Sequence, residues 1–195
     1  MTQPAVLQEA GGKREAILDA ALELFAERGF HGTAVPLVAK RANVGAGTVY
    51  RYFESKEALV NALYQREKQA FVMRLIQNFP EDVPPREKFR ELWRRLWAFA
   101  NENQKSAIFL ELHHHADYLD DKSRALEELV MQPILEFVRQ SQQAQALKNV
   151  DPQLLIAVVY GAFIQVVKAV WLGQLKLSSD TLERAEACIW EAVRA

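Results

Sequence analysis

The chain is poor in cysteine: Cys188 is the only one in 195 residues. An intramolecular disulfide is excluded, and so is a CxxC metal site. A lone thiol suits a reducing, cytoplasmic setting. A surplus of charge of either sign is lacking too. Lys and Arg number 24 against 25 Asp and Glu, a net charge of −1. That excludes a chain that coats nucleic acid by bulk charge and directs attention to local patches.

Period-two strand alternation, internal repeats and low-complexity tracts are also missing. The opening MTQPAVLQEAGGKRE has no basic stretch followed by an apolar run, so a disordered lead over residues 1–12 is expected there rather than a secretory signal. One long apolar run exists, Leu154 to Leu172, and Tyr160, Gln165 and Lys168 interrupt it. Crossing a bilayer takes about 20 clean apolar residues. A covered helix is the expectation, and no membrane partner.

What is present is helical periodicity from end to end. Ile17, Ala21 and Phe25 fall four apart with Leu18 and Leu22 beside them, one apolar stripe on a helix over Lys13 to Arg28. Gly29 supplies a left-handed residue to end it, and Phe30 is placed to fold back onto Phe25. Thr33 is the expected N-cap of a short helix, Ala34 to Ala42, with Pro36 in its first turn. Asn43 tolerates the left-handed conformation a tight turn needs. A third helix is expected over Ala46 to Phe53. Ser55 caps a fourth, with Glu57 opposing its dipole, that runs to about Asn78. FPEDVPP, Phe79 to Pro85, then marks a boundary. Beyond it Arg86 to Asn103, Lys105 to Asp117, Lys122 to Ala146, Pro152 to Leu172 and Ser179 to Val193 read as helices.

The second and third helices with their turn form a helix-turn-helix, with Ala46 to Phe53 as the reading helix. Such a helix approaches base edges and phosphates end-on, so small residues belong at its start. Gly45, Ala46 and Gly47 meet that demand. Thr48, Tyr50 and Tyr52 offer hydroxyls to phosphates, Arg51 reaches a base or a phosphate, and Lys56 opens the next helix. Val44, Val49 and Phe53 read as core. Between Arg28 and Lys56 there are five basic residues and one acidic, so positive charge gathers on this unit although the chain is neutral overall.

Thr33, Val38-Ala39, Val44, Gly47-Thr48, Tyr50, Tyr52-Phe53, Ser55-Lys56 and Leu59 together resemble the DNA-binding domain of the TetR family of transcriptional regulators. Ile17 to Thr33 is similar to that family's first helix. The resemblance covers about the first third of the chain. Asn43 stands where the family usually has Gly, Gly45 where a capping Ser is frequent, and Pro36 near a position that can carry a polar DNA contact. The resemblance implies DNA contact by Thr33, Gly45, Ala46, Gly47, Thr48, Tyr50, Arg51, Tyr52 and Lys56. It also implies an all-α fold: a three-helix helix-turn-helix domain over 13–60, continued by a connecting helix to about 78, then a helical effector-binding and dimerisation domain over 79–195. The partners it implies are an operator in double-stranded DNA, a small-molecule effector and a second copy of the chain.

Trp93, Trp97, Phe109, Phe137, Tyr160 and Phe163 give that second domain many large rings, and His113 and His114 supply polar groups. These eight are the candidate effector pocket, with an apolar or aromatic effector expected. The run Leu154 to Leu172 is apolar nearly all round, more than a small domain covers by itself. It therefore predicts a dimer interface containing Ala157, Gly161 and Lys168, with Ile189 and Trp190 from the last helix. The segment ELHHHADY, Glu111 to Tyr118, raises a competing reading as a metal-dependent or acid/base enzyme. Consecutive helical residues point about 100° apart, so three adjacent His cannot chelate one ion. No metal, no cofactor and no catalytic residue is expected.

Overall fold

The computed structural model describes residues 4–113 and 116–195. His114 and the neighbouring His115 lie outside the described residues. Among those described there are nine helices and no extended strand: α1 (Pro4–Arg28), α2 (Val35–Arg41), α3 (Ala46–Tyr52), α4 (Lys56–Ile76), α5 (Pro85–Glu102), α6 (Gln104–His113), α7 (Asp121–Gln143), α8 (Pro152–Trp171) and α9 (Ser179–Val193). The all-α expectation holds. The helices fall into two compact units, Met1–Phe71 with Asn103–Glu127, and Val72–Glu102 with Glu128–Ala195.

In the first unit the α1 stripe is the core: Ile17, Leu18, Ala21 and Phe25 are fully buried. Ile17, Leu18 and Phe25 each contribute about 1.5–3 kcal/mol when taken out of water. Gly29 sits at φ 65° and its N–H donates to the Phe25 carbonyl at 2.9 Å. Phe30 then stacks back on Phe25, centroids 6.2 Å apart. The lead expected to be disordered is instead helical from Pro4. Pro4 fits a first helical turn, and Gly11 and Gly12 each cost roughly 1 kcal/mol relative to Ala within the helix.

Sequence order puts α6 beyond the proline boundary, in the second domain. It packs in the first unit, because Phe109, Leu110 and His113 bury one face of it against α1. It does not reach Asp117 as expected: Ala116 and Asp117 are no longer helical, the Ala116 N–H donates to the His113 carbonyl at 3.1 Å, and Leu119 is buried.

In the second unit α5 buries Phe89, Trp93 and Trp97, four residues apart. Trp93 meets Phe163 of α8 edge-on at 5.4 Å, and Phe89 meets Trp190 of α9 at 5.3 Å. Arg86 forks onto buried Glu186, and its guanidinium lies 5.0 Å from the Trp190 ring. Asp151 caps α8, accepting the Gln153 N–H at 2.7 Å, and Ser178 caps α9 through the Thr181 N–H at 3.1 Å. Gly173, at φ 71°, ends α8 as expected.

Candidate nucleic-acid interface

The helix-turn-helix is built on two buried rows. Val35, Val38 and Ala39 of α2 and Val49 and Phe53 of the α3 region face inward. The turn between them is closed by Asn43 at φ 54°. The Asn43 N–H donates to the Lys40 carbonyl at 3.2 Å and the Val44 N–H to the Ala39 carbonyl at 2.9 Å. Those are the two bonds of a Schellman motif, made here with Asn in the left-handed place where Gly is usual.

Val49 and Phe53 turn inward, so α3 presents its other side to solvent. Gly45, Ala46, Gly47, Tyr50 and Arg51 are exposed; Thr48, Tyr52 and Lys56 are half-buried. A Cβ added at Gly47 would meet nothing within 4 Å, and one at Gly45 would meet only Thr48 Oγ1 at 3.9 Å. Neither glycine has positive φ. Packing within the chain therefore does not explain why both positions are glycine. Arg51 lies over the Tyr52 ring at 5.3 Å, and the Lys56 ammonium over the Phe30 ring at 4.1 Å. Ser55 caps α4 by accepting the Ala58 N–H at 3.0 Å.

Thr33 is a correction. It is buried, and its hydroxyl hydrogen is shared between the Leu24 carbonyl (3.1 Å) and the Gly29 carbonyl (2.9 Å). It neither caps α2, whose N-cap is Ala34 without a side-chain bond, nor faces outward to meet DNA. Arg41 contributes less to the basic face than its charge suggests, since Glu23 binds it at 2.5 Å. Lys105 and Arg41 hydrogen-bond the Glu23 carboxylate and hold its pKa below the usual value.

Residues 17–63 match the bacterial regulatory proteins of the tetR family, and residues 64–195 match the tetracyclin repressor-like C-terminal domain. The chain belongs to the TetR family. Among its relatives is RutR of Escherichia coli O157:H7, an HTH-type transcriptional regulator, 30% identical over an alignment of 215 positions, gaps included, that covers 100% of this chain and 99% of RutR. The fatty acid metabolism regulator of Bacillus subtilis (strain 168) is 26% identical over 177 residues, 86% of this chain and 90% of that protein. A TetR family transcription regulator from Marinobacter aquaeolei VT8 has the same fold, with TM-score 0.85 and 26% identity over 96% of this chain and 98% of that one.

This TetR-family regulator distributes the expected pocket residues between its two units. Trp93, Trp97 and Phe163 are buried in the second, Phe137 is half-buried there, and Tyr160 lies on the exposed side of α8. Phe109 and His113 are instead core residues of the first unit. Their rings are 4.5 Å apart, and both pack on Phe25. Burial pushes the His113 pKa down to about 4, and its Nδ1 bonds the Tyr118 hydroxyl. Of the Glu111 to Asp117 segment, His113 is thus committed to a core contact. Among the described residues no group of three His, Cys, Asp or Glu is placed to hold a metal. Sequence reasoning missed Trp93 Nε1, a buried donor without a hydrogen-bond partner among the described residues. A tryptophan in an apolar stripe gives no sign of whether its N–H is met.

The expected dimer residues divide as well. Ala157 and Gly161 are exposed, and Lys168 and Ile189 half-buried. Trp190 is buried against its own chain, between Phe89 and Arg86, and is no outward anchor. α8 is long and apolar enough to cross a membrane, yet little of it is buried in the single chain.

Proposed function

We propose that the protein is a cytoplasmic transcriptional repressor that holds a near-palindromic operator as a homodimer and is released by a small apolar effector. The observation that carries the dimer is the bare apolar side of α8, where Leu154, Ala157, Val158 and Gly161 are exposed in the single chain. A twofold partner covers that side, with the half-buried Ile189 of α9 beside it. Two α3 helices then enter successive major grooves, and the symmetry of the dimer sets the spacing of the half-sites.

The open glycines support DNA as the ligand of α3. A surface that lacks Cβ atoms without internal reason suits close approach from outside. Tyr50, Tyr52 and Thr48 hold phosphates through their hydroxyls, and Arg51 reads a base edge.

The effector reading rests on Trp93, Trp97, Phe137 and Phe163. An aromatic or aliphatic molecule suits them better than a sugar or nucleotide, whose polar groups would lack partners. The unmet Trp93 N–H orients such a molecule through one hydrogen bond.

Titrating candidate compounds while following tryptophan fluorescence, with and without operator DNA, tests this. Linkage requires an effector that weakens operator binding tenfold to bind tenfold weaker when operator is present. A compound bound equally in both cases does not regulate. Release of DNA by highly charged metabolites alone would overturn the apolar pocket.

A further inference from the structure

We propose that Phe30 and Tyr118 are positioning residues for Lys56, which makes Tyr118, just ahead of α7, part of the DNA-binding apparatus. The inference rests on reading Lys56 as a phosphate contact. The Lys56 ammonium is 4.1 Å from the centroid of the Phe30 ring. Tyr118 stacks on the same ring at 4.0 Å, with 20° between the planes. Two groups that near one centroid occupy opposite faces, so Phe30 lies between Lys56 and Tyr118.

Tyr118 is held in turn. Its hydroxyl bonds His113 Nδ1, and its carbonyl accepts from Asn61 Nδ2 at 2.7 Å. Asn61 is buried, and every bond its amide can make is made. Nδ2 also donates to the Glu57 carbonyl at 2.9 Å, and Oδ1 accepts the Asp120 N–H and the Ser123 hydroxyl, each at 2.8 Å. Lys56 and Asn61 both belong to α4. The contacts therefore close a ring that leaves α4 at Lys56, passes through Phe30 and Tyr118, and returns to α4 at Asn61.

A free lysine side chain loses several rotatable bonds of freedom when it settles on a phosphate. Over an aromatic face the ammonium is already placed, and the N–H donors turned away from the ring stay available to phosphate oxygens. The ring adds no charge. It lowers the entropy lost on binding and so raises affinity through preorganisation. Tyr118 supports the ring from behind and need not touch DNA.

The test measures affinity by fluorescence anisotropy for a duplex from upstream of the protein's own gene and for a random duplex of equal length, across a salt series. Lys56→Ala weakens both and lowers the slope of log affinity against log salt by about one per subunit. Tyr118→Leu weakens both by about two- to fivefold per subunit, the range of a partly exposed cation–π contact. Tyr118→Phe, which keeps the ring, binds like the wild type. In a Lys56→Ala background Tyr118→Leu has no further effect. Should Tyr118→Leu fail to fold, Phe30→Met preserves volume and takes its place. Independently of DNA, the Lys56 εCH₂ protons of the wild type show a ring-current upfield shift that Phe30→Met abolishes. Penalties that multiply in the double variant, or Lys56 protons at ordinary positions, overturn the proposal. Weakening by Lys56→Ala with none by Tyr118→Leu defeats the positioning role alone. Unchanged binding by Lys56→Ala defeats the phosphate contact and the positioning role together.

Discussion

Asn61 Oδ1 accepts the hydroxyl of Ser123 at 2.8 Å, across 62 positions of sequence. The same amide holds Tyr118 and Asp120, so one buried side chain ties α4 to the start of α7. Asn61→Leu keeps the branching but replaces the amide with methyl groups and strands those partners. It is expected to lower unfolding stability by about 3 kcal/mol, since buried groups left without bonds cost about 1–3 kcal/mol each. Urea denaturation reads this directly, and a loss under about 0.5 kcal/mol would mean the network is dispensable.

Thr33 separates a structural role from a DNA-contacting one. Its hydroxyl is spent on the carbonyls of Leu24 and Gly29. Thr33→Val should cost about 1 kcal/mol of stability, the net worth of a buried hydrogen bond. The folded variant should bind DNA with wild-type affinity and salt dependence. A selective loss of DNA binding at full stability would return Thr33 to the interface.

Gly47→Ala tests the opposite case. The free protein has room for the methyl group. Stability should be unchanged or should rise by up to about 1 kcal/mol, because Ala favours a helix over Gly. Affinity for operator should nevertheless fall, as the added carbon meets the DNA. Equal affinity in wild type and variant would show that α3 does not approach its ligand closely at this point.

His113 makes stability pH-dependent with a definite sign. Burial lowers its folded pKa to about 4, below the 6.5 of the unfolded chain. Between those values the unfolded state binds more protons, so stability is complete above pH 6.5 and is lost as pH falls toward 4. The loss is on the order of 3 kcal/mol. His113→Gln, which can still bond the Tyr118 hydroxyl, should flatten this dependence. Denaturation curves at pH 7 and pH 5 decide it, and identical slopes for both proteins would remove His113 as the cause.

Much of the helix-turn-helix is legible in the sequence. The Asn43 turn, the Ser55 cap and the Gly29 stop each follow from one residue's local chemistry, and the structure has all three. What was illegible depends on distant neighbours. A threonine before a helix looks the same whether its hydroxyl caps that helix or reaches back to the preceding one, as Thr33 does. The stacking of Tyr118 on Phe30 joins residues far apart in sequence, and neither residue announces the other. Trp190 belongs to an apolar stripe that suits a partner's surface as well as its own chain, and only the contact with Phe89 resolves it. For the pocket, ring-rich composition could not show that Phe109 and His113 pack on α1 while Trp93 and Phe163 pack together in the second unit.

The exposed side of α8 predicts a dimer in the absence of DNA. Gly161→Glu places a charge against the partner, where an uncompensated buried group costs several kcal/mol. Sedimentation should show a dimeric wild type and a monomeric variant at micromolar concentration. A monomeric wild type would rule the interface out.

The most direct measurement of the central claim is a stoichiometric titration of the DNA upstream of the protein's own gene, read by anisotropy at moderate salt against a random duplex of the same length. The account predicts saturation at two chains per site, tight preference for one near-palindromic sequence, and loss of that preference in Arg51→Ala. Equal affinity for both duplexes, or a single chain per site, would contradict it.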